Sequence, residues 1–292
     1  MTLARVTGVL APVTSPFGSS GDIDTAALKK NIAKGLADGL AGVVIAGSTG
    51  EAPLLERDEQ RRLTAAAREV VPIDRILLVG TGAESTRAAI ALSRDAAAER
   101  ADAVLVRPPG YYSPMLDAAA VRDHLRAVAD ASPVPVLLYN IPKYAPVPIT
   151  LEILAGLQEH RNIIGIKDSS GDPANLAAYR ATVPVWSVLV GSASHFKRAL
   201  DLKCEGGILG AACFAAAACV ALKRAVEEGD AAEAEGLQSR IAILDREIVG
   251  KLGPAGIKVA MDCVGLIGGA PRSPLRPLRP GERDRVAALV AA

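Results

Sequence analysis

The chain has 292 residues, with 33 Lys and Arg against 32 Asp and Glu for a net charge of +1; half of it is hydrophobic and only 3% is aromatic. A domain that tracks phosphates needs a basic face, and bases stack on aromatic platforms, so balanced charge with three Phe, one Trp and five Tyr argues against a nucleic-acid partner. The length fits one large α/β unit or two smaller domains and is ample for a sizeable core.

Taken from the amino terminus, the chain opens on MTLARVTGVLAPVTSP, whose apolar run is broken at Pro12 and is too short for the core of a signal peptide. Short runs rich in Val, Ile and Leu then alternate with longer helical stretches. Strands are predicted at Val6–Val13, Gly42–Ala46, Arg75–Gly80, Ala103–Val106, Pro133–Tyr139, Asn162–Lys167, Val185–Val190 and Glu205–Leu209. Helices fall between them, among others at Thr25–Ala37, Glu56–Val70, Glu84–Arg100 and Asp117–Ala131. The strands read as continuous apolar runs, as parallel strands buried on both faces do.

Eight such units predict a closed (β/α)8 barrel, an α/β fold of the TIM-barrel type, over residues 1–225, with a C-terminal helical extension over 226–292. Helices of the extension are predicted near Asp230–Val249, Gly256–Val264 and Gly281–Val290. The Ala-rich stretch Ile208–Leu222 reads as one packed helix, and no stretch is long and apolar enough to span a membrane. A doubly wound sheet is the rival, but the turn after the first strand, APVTSPFGSSGDID, is not GxGxxG, and no GxxxxGK[ST] occurs. Cys204, Cys213, Cys219 and Cys263 lack CxxC spacing, and His124, His160 and His195 are scattered. No metal site is predicted, and a reducing cytoplasm is the expected compartment.

Barrel enzymes place their chemistry at the C-terminal ends of the strands. There the second strand is followed by Gly47-Ser48-Thr49-Gly50-Glu51 and the fourth by Pro108-Pro109-Gly110-Tyr111-Tyr112. The fifth ends in Tyr139-Asn140-Ile141-Pro142, the sixth in Lys167-Asp168-Ser169-Ser170 and the seventh in Gly191-Ser192. Lys167 stands out: only 10 of the 33 basic residues are Lys, and nearly all the others fall on helices or connectors where solvent is expected. It closes the apolar run NIIGIK and is expected to point into the barrel mouth. Burial disfavours an ammonium and frees the amine as a nucleophile, which a Schiff base requires. The competing reading is an ion pair with Asp168 or another carboxylate. Tyr139 ends the neighbouring strand, where a phenol can shuttle protons, or can equally be an ordinary amphipathic core residue. Gly47-Ser48-Thr49-Gly50 offers two hydroxyls and successive N–H groups, fit to hold a carboxylate or to act as a plain turn.

In this order GSTGE, YYSP, YNIP and GIKDSSGD resemble the pyruvate-dependent class I aldolases of the N-acetylneuraminate lyase and dihydrodipicolinate synthase superfamily, over essentially the whole chain. The resemblance implies that Lys167 forms the Schiff base with the keto carbon of pyruvate and that Tyr139 transfers protons. Ser48 and Thr49, with Gly47, bind the pyruvate carboxylate, and Ser48 belongs to the proton relay. In the family a Tyr after the fourth strand completes that relay, reaching in from a neighbouring subunit in many members; Tyr111 fits the place, with Tyr112 as the alternative. Ser169, Gly191, Tyr112 and Tyr144 join the substrate-binding set, so that four of the five tyrosines are expected at the mouth, with Tyr179 left over. Small keto-acid and aldehyde substrates, a homotetramer built as a dimer of dimers, and no cofactor beyond the lysine–pyruvate Schiff base complete the implication.

The motifs also bear on the second substrate. Dihydrodipicolinate synthases resemble this chain but usually carry an Arg two residues after the Pro of YN[VI]P, where Tyr144 stands here; Lys143 beside it is expected to be solvated. Sialic acid lyases place acidic residues after the seventh strand, and Gly191-Ser192-Ala193-Ser194-His195-Phe196 has none, so a short acceptor is expected. GSASHF, VGTGAEST and GPAGIKVAMD look most like 4-hydroxy-2-oxoglutarate aldolases, although those usually have Asn in place of Thr49. Two further readings are a sugar-phosphate aldolase using Gly191, Gly206 and Gly207 as a phosphate cup, and a catalytically silent keto-acid sensor.

Overall fold

The eight apolar runs form one closed, all-parallel sheet in the order β1 to β8 in the computed structural model, which describes residues 3–292. The strands are β1 (Gly8–Pro12), β2 (Gly42–Ile45), β3 (Ile76–Gly80), β4 (Ala103–Val106), β5 (Val136–Asn140), β6 (Ile163–Asp168), β7 (Ser187–Val190) and β8 (Gly206–Ile208). Around them run α1 (Thr25–Ala37), α2 (Arg57–Val70), α3 (Thr86–Ala98), α4 (Ala118–Ala131), α5 (Leu151–Leu157), α6 (Pro173–Thr182), α7 (Phe196–Asp201) and α8 (Ala216–Glu228). The extension adds α9 (Ala231–Leu244), a π-helical turn at Asp245–Gly250, α10 (Lys251–Cys263) and α11 (Pro280–Ala291). No helix of the described residues is long and apolar enough to cross a membrane.

Pleat parity sorts the strand residues into two cores. Leu10, Val44, Leu78, Leu105, Leu137, Leu189 and Ile208 point inward and pack against one another, while Val9, Val43, Leu77, Val104, Leu138, Ile166 and Val188 point outward against the helices. Both sets are apolar, which is why the strands read as unbroken hydrophobic runs. The helices start where short polar side chains cap them: Asp24, Ser85, Asp117, Thr150 and Asp172 each accept a backbone N–H of the first turn.

One irregularity decides how the site is aimed. Val136 of β5 pairs with Ile163, but Leu137 pairs with Gly165, so β6 carries an extra residue at this bulge. From there the register runs Tyr139 opposite Lys167 and Asn140 opposite Asp168. Bulges re-aim side chains in this way at barrel rims.

The closing seam explains two glycines. Gly206 has φ +156°, and a Cβ there would lie 1.9 Å from the Gly8 carbonyl oxygen; one on Gly207 would lie 2.7 Å from the Leu209 side chain. Strand packing at the seam therefore requires glycine at both positions. The expected single helix over Ile208–Leu222 is instead three pieces: the end of β8, a 3₁₀ turn at Gly210–Cys213, and α8 from Ala216. Composition alone could not divide this run, because the apolar strand end and the Ala-rich helix are alike in hydrophobicity. The break expected between the first two extension helices is present: Gly253 leaves helical geometry at φ 57° and ψ −145° ahead of Pro254, after the π turn that continues α9.

Candidate active site

Tyr139 and Lys167 occupy the last inward-facing positions of two adjacent strands. Lys167 Nζ sits 4.2 Å from the centroid of the Tyr139 ring, and both residues are buried. The next residue on each strand points outward. There Asn140 Nδ2 donates to Asp168 Oδ1 at 2.7 Å, Ser170 Oγ donates to Asp168 Oδ2 at 2.7 Å, and Asn140 Oδ1 accepts from Ile149 N at 3.0 Å. The competing Lys167–Asp168 ion pair therefore does not form: pleat parity puts the two on opposite faces of the sheet. Burial raises the Asp168 pKa, against the hydrogen bonds from Ser170 and Asn140 that hold it down. This outward pair buttresses the two strand ends that present Tyr139 and Lys167.

Above them lies a cavity of about 170 Å³. Pro12, Ser48, Thr49, Tyr139, Lys167, Ser169, Gly191 and Ile208 line it from the barrel, and Asp245, Val249, Gly250, Gly253, Pro254 and Ile257 from the extension. A larger cavity, of about 300 Å³, lies between α1, α8 and α9 and contains none of the residues expected to carry chemistry. Ser48 and Thr49 sit on a tight turn in which Glu51 N donates to Ser48 O and Ala52 N to Gly47 O, both at 3.2 Å, while Ser15 Oγ donates to Gly50 O at 2.7 Å. Gly47 is buried beneath the turn and is not part of the cavity wall. Behind Pro12, Cys213 Sγ donates to the Pro12 carbonyl at 3.2 Å, and burial pushes its thiol up to about 12, so it stays protonated.

Of the four tyrosines expected at the mouth, Tyr139 and Tyr144 line the cavity and Tyr111 and Tyr112 do not. Tyr111 and Tyr112 are 78% and 64% exposed and pack edge to face, ring centroids 5.0 Å apart. Their loop is turned outward by Glu84, whose carboxylate accepts from Gly110 N and Tyr111 N at 2.9 Å each and from the Arg107 guanidinium at 2.9 Å. Tyr179, the tyrosine left over, donates its hydroxyl to Ile149 O at 2.6 Å in the core. Lys143 is not simply solvated: its Nζ donates to Gly250 O at 2.9 Å, latching the mouth of β5 to the π turn.

Two residues that sequence reasoning passes over matter here. The loop after β7 has no acidic residue of its own, yet Asp245 reaches it from the extension: Asp245 Oδ2 accepts from Ser192 Oγ at 2.8 Å, Ser194 N at 2.9 Å and Ser194 Oγ at 2.8 Å. The usable signal is an Asp set between Leu244 and Ile248, both of which the structure buries. Lys258 has the sequence setting of a solvated helical lysine but is fully buried against Glu51, Nζ to Oε1 2.6 Å. Its signal is weaker still, one charge inside the apolar stretch Ile257–Met261.

Gly191 is fixed by close packing. A Cβ at this position would lie 1.8 Å from Ser169 Oγ and 3.0 Å from the Asp168 carbonyl oxygen. Gly191→Ala should therefore push Ser169 from the cavity wall, lowering kcat/KM by about tenfold or more and costing roughly 1–3 kcal/mol of stability through overpacking. Steady-state kinetics with thermal melting checks both; an alanine variant with unchanged kcat/KM would show that Ser169 is not needed where it stands.

A closed parallel barrel that gathers a buried lysine, a facing tyrosine and a hydroxyl-bearing glycine loop at its C-terminal mouth has the architecture of a class I pyruvate lyase. The chain belongs to the dihydrodipicolinate synthetase family, whose profile matches residues 5–292. It is 37% identical over 277 residues to a probable mitochondrial 4-hydroxy-2-oxoglutarate aldolase of Emericella nidulans, covering 92% of this chain and 89% of that one. It is 31% identical over 273 residues to a 4-hydroxy-tetrahydrodipicolinate synthase of an Exiguobacterium species, covering 93% and 92%. Among solved structures, dihydrodipicolinate synthase DapA-2 of Bacillus anthracis superposes with a TM-score of 0.95 at 26% identity, covering 100% of this chain and 99% of that one. YagE of E. coli, solved in complex with pyruvate, superposes with a TM-score of 0.92 at 28% identity, covering 98% and 97%.

Proposed function

We propose that the chain cleaves 4-hydroxy-2-oxoglutarate reversibly to pyruvate and glyoxylate through a Schiff base on Lys167. The observation that carries the reading is the Lys167 amine over the Tyr139 ring at the floor of a cavity rimmed by Ser48 and Thr49. Ser48 and Thr49 hold the keto-acid carboxylate, with Ser169 beside it. The Nζ lone pair adds to the keto carbon, and the oxygen leaves as water after taking one proton from the added nitrogen and one from Tyr139. The protonated imine then draws electrons. When the C4 hydroxyl gives its proton to Tyr139, relayed through Ser48, the C3–C4 bond breaks, glyoxylate departs and the bond's electron pair forms the enamine. Protonation at C3 and hydrolysis of the imine release pyruvate and restore the amine. No metal or organic cofactor enters these steps.

Two features support the short acceptor. Tyr144 replaces the Arg that a synthase would use, and a phenol makes no bidentate charged clamp. Asp245 is the one carboxylate that the described residues place on the cavity wall, and its Oδ2 is already engaged by Ser192 and Ser194, which leaves little to hold a polyol. The exposed Tyr111, Tyr112 and Met115, all on the loop after β4, support a homotetramer built as a dimer of dimers in which Tyr111 or Tyr112 completes a neighbour's relay. Four free cysteines suit a reducing, cytoplasmic setting.

The test is pyruvate release from 4-hydroxy-2-oxoglutarate, N-acetylneuraminate and 2-keto-3-deoxygluconate, run beside condensation of pyruvate with aspartate semialdehyde. The expected kcat/KM for 4-hydroxy-2-oxoglutarate exceeds the others by about 10²-fold, a margin several lost contacts would produce. A higher value for the semialdehyde condensation would replace this reading with the synthase one.

A further inference from the structure

The loop that carries Ser48 and Thr49 ends on a residue with no place in the chemistry above. Glu51 is buried, at 2% exposure, and holds a left-handed backbone conformation, φ 58° and ψ 33°, that costs a non-glycine residue energy. Its carboxylate reaches away from the cavity. Oε1 lies 2.6 Å from Lys258 Nζ on α10, and Oε2 accepts from Arg272 N at 2.8 Å. The contact to Lys258 satisfies charge rather than hydrogen-bond direction, for Oε1 has no well-directed donor. Lys258 Nζ itself donates to Ala270 O at 2.9 Å and lies 4.5 Å from the centre of the Phe17 ring. Arg272 stacks on the same ring at 4.2 Å and donates to Leu54 O and Glu59.

Such a pair is a poor way to gain stability. Desolvating two charges cancels most or all of their attraction, and well-packed hydrophobic replacements are often neutral or stabilising. Such a pair can instead fix geometry, because separating either charge from its partner inside the protein leaves it buried and uncompensated. Here the two ends are informative. Glu51 is two residues from Thr49, and Lys258 lies one residue after Ile257 and one helical turn after Pro254, both on the cavity wall. The pair therefore spans from the hydroxyl loop of the barrel to the helix that closes the cavity from above.

We propose that the Glu51–Lys258 pair is a positioning device that sets Ser48 and Thr49 over Lys167 by tying their loop to α10. Glu51 and Lys258 are positioning residues, since neither touches the cavity. The inference rests on the reading of Ser48 and Thr49 as the holder of the pyruvate carboxylate. It makes the C-terminal extension part of the pyruvate site as well as of the acceptor site.

Two variants test it. The paired replacement Glu51→Leu with Lys258→Met removes both charges at similar volume; Glu51→Asp keeps the charge and shortens the arm by one methylene. Each is incubated with graded pyruvate, reduced with borohydride, and the adduct on Lys167 is quantified by mass spectrometry, alongside thermal melting. The paired variant should melt at or above the parent temperature, yet need about tenfold more pyruvate for half-maximal trapping, while reaching the parent's level at saturation. Glu51→Asp should shift half-saturation in the same direction by at least about threefold with little change in melting. Half-saturation within twofold of the parent in either variant that folds would overturn the proposal and leave the pair a packing element. If the paired variant does not fold, Glu51→Asp alone decides. A parent that traps no pyruvate at all fails differently, since it removes the pyruvate reading itself.

Discussion

Lys167→Ala is expected to abolish turnover, by on the order of 10⁴-fold or more, and to eliminate the borohydride-trapped pyruvate adduct while leaving the barrel folded. The size follows from what is lost: without a covalent electron sink the C3–C4 bond has nowhere to send its electrons, and no other group is placed to replace the amine. Lys143, the second amine at the cavity, is tied to the Gly250 carbonyl. Cys213 is kept protonated by burial and faces Pro12 O. The fold should survive because the Lys167 amine contributes little more than its place over the Tyr139 ring, a cation–π interaction worth ~0.5–2 kcal/mol. Against that, removing an amine from a buried position relieves desolvation. The melting temperature should move by no more than about 5 °C at ~2–4 °C per kcal/mol for a large domain. Mass spectrometry of the borohydride-treated variant with excess pyruvate checks the chemistry, and a retained adduct on another lysine would sink the assignment.

Tyr139→Phe should behave differently. The ring stays against Lys167 and the hydrophobic floor is kept, so pyruvate should still be trapped at concentrations within about threefold of the parent's, whereas kcat should fall by ~10²–10⁴, the range of a single proton-transfer group. A loss confined to KM would mean that the hydroxyl binds substrate without moving a proton. The contrast between the two variants is diagnostic: one removes the covalent step, the other removes only the proton traffic around it.

The barrel was legible because its strands are apolar on both faces and alternate with helix-length segments, two signals that depend on local sequence alone. The cavity floor was legible for a related reason. Strand ends map directly onto the barrel mouth, so Ser48, Thr49, Tyr139, Lys167, Ser169 and Gly191, all expected there, line one cavity. What escaped was set by non-local packing. Asp245 meets Ser192, and Lys258 meets Glu51, only when the extension folds back over the barrel, and a lone charge inside an apolar helix does not announce its partner. Tyr111 and Tyr112 follow a strand end as closely as the mouth residues do, but the Glu84 carboxylate captures the N–H groups of Gly110 and Tyr111 and turns the loop outward. The bulge in β6 was equally invisible, since an added apolar residue leaves an apolar run unchanged.

That added residue limits how the protein can change. Side chains on a strand have only two directions, so Lys167 faces either the barrel axis or the helices, with nothing between. In the unbulged register Tyr139 would sit opposite Ile166, a side chain packed against the helices. Insertions and deletions in β6 therefore act on the Lys167 amine as a switch rather than as a gradient: an odd change turns it out of the cavity, and a compensating one returns it. Loops that bring no residue to the cavity are free of this constraint, but the spacing within β6 is inherited whole or lost.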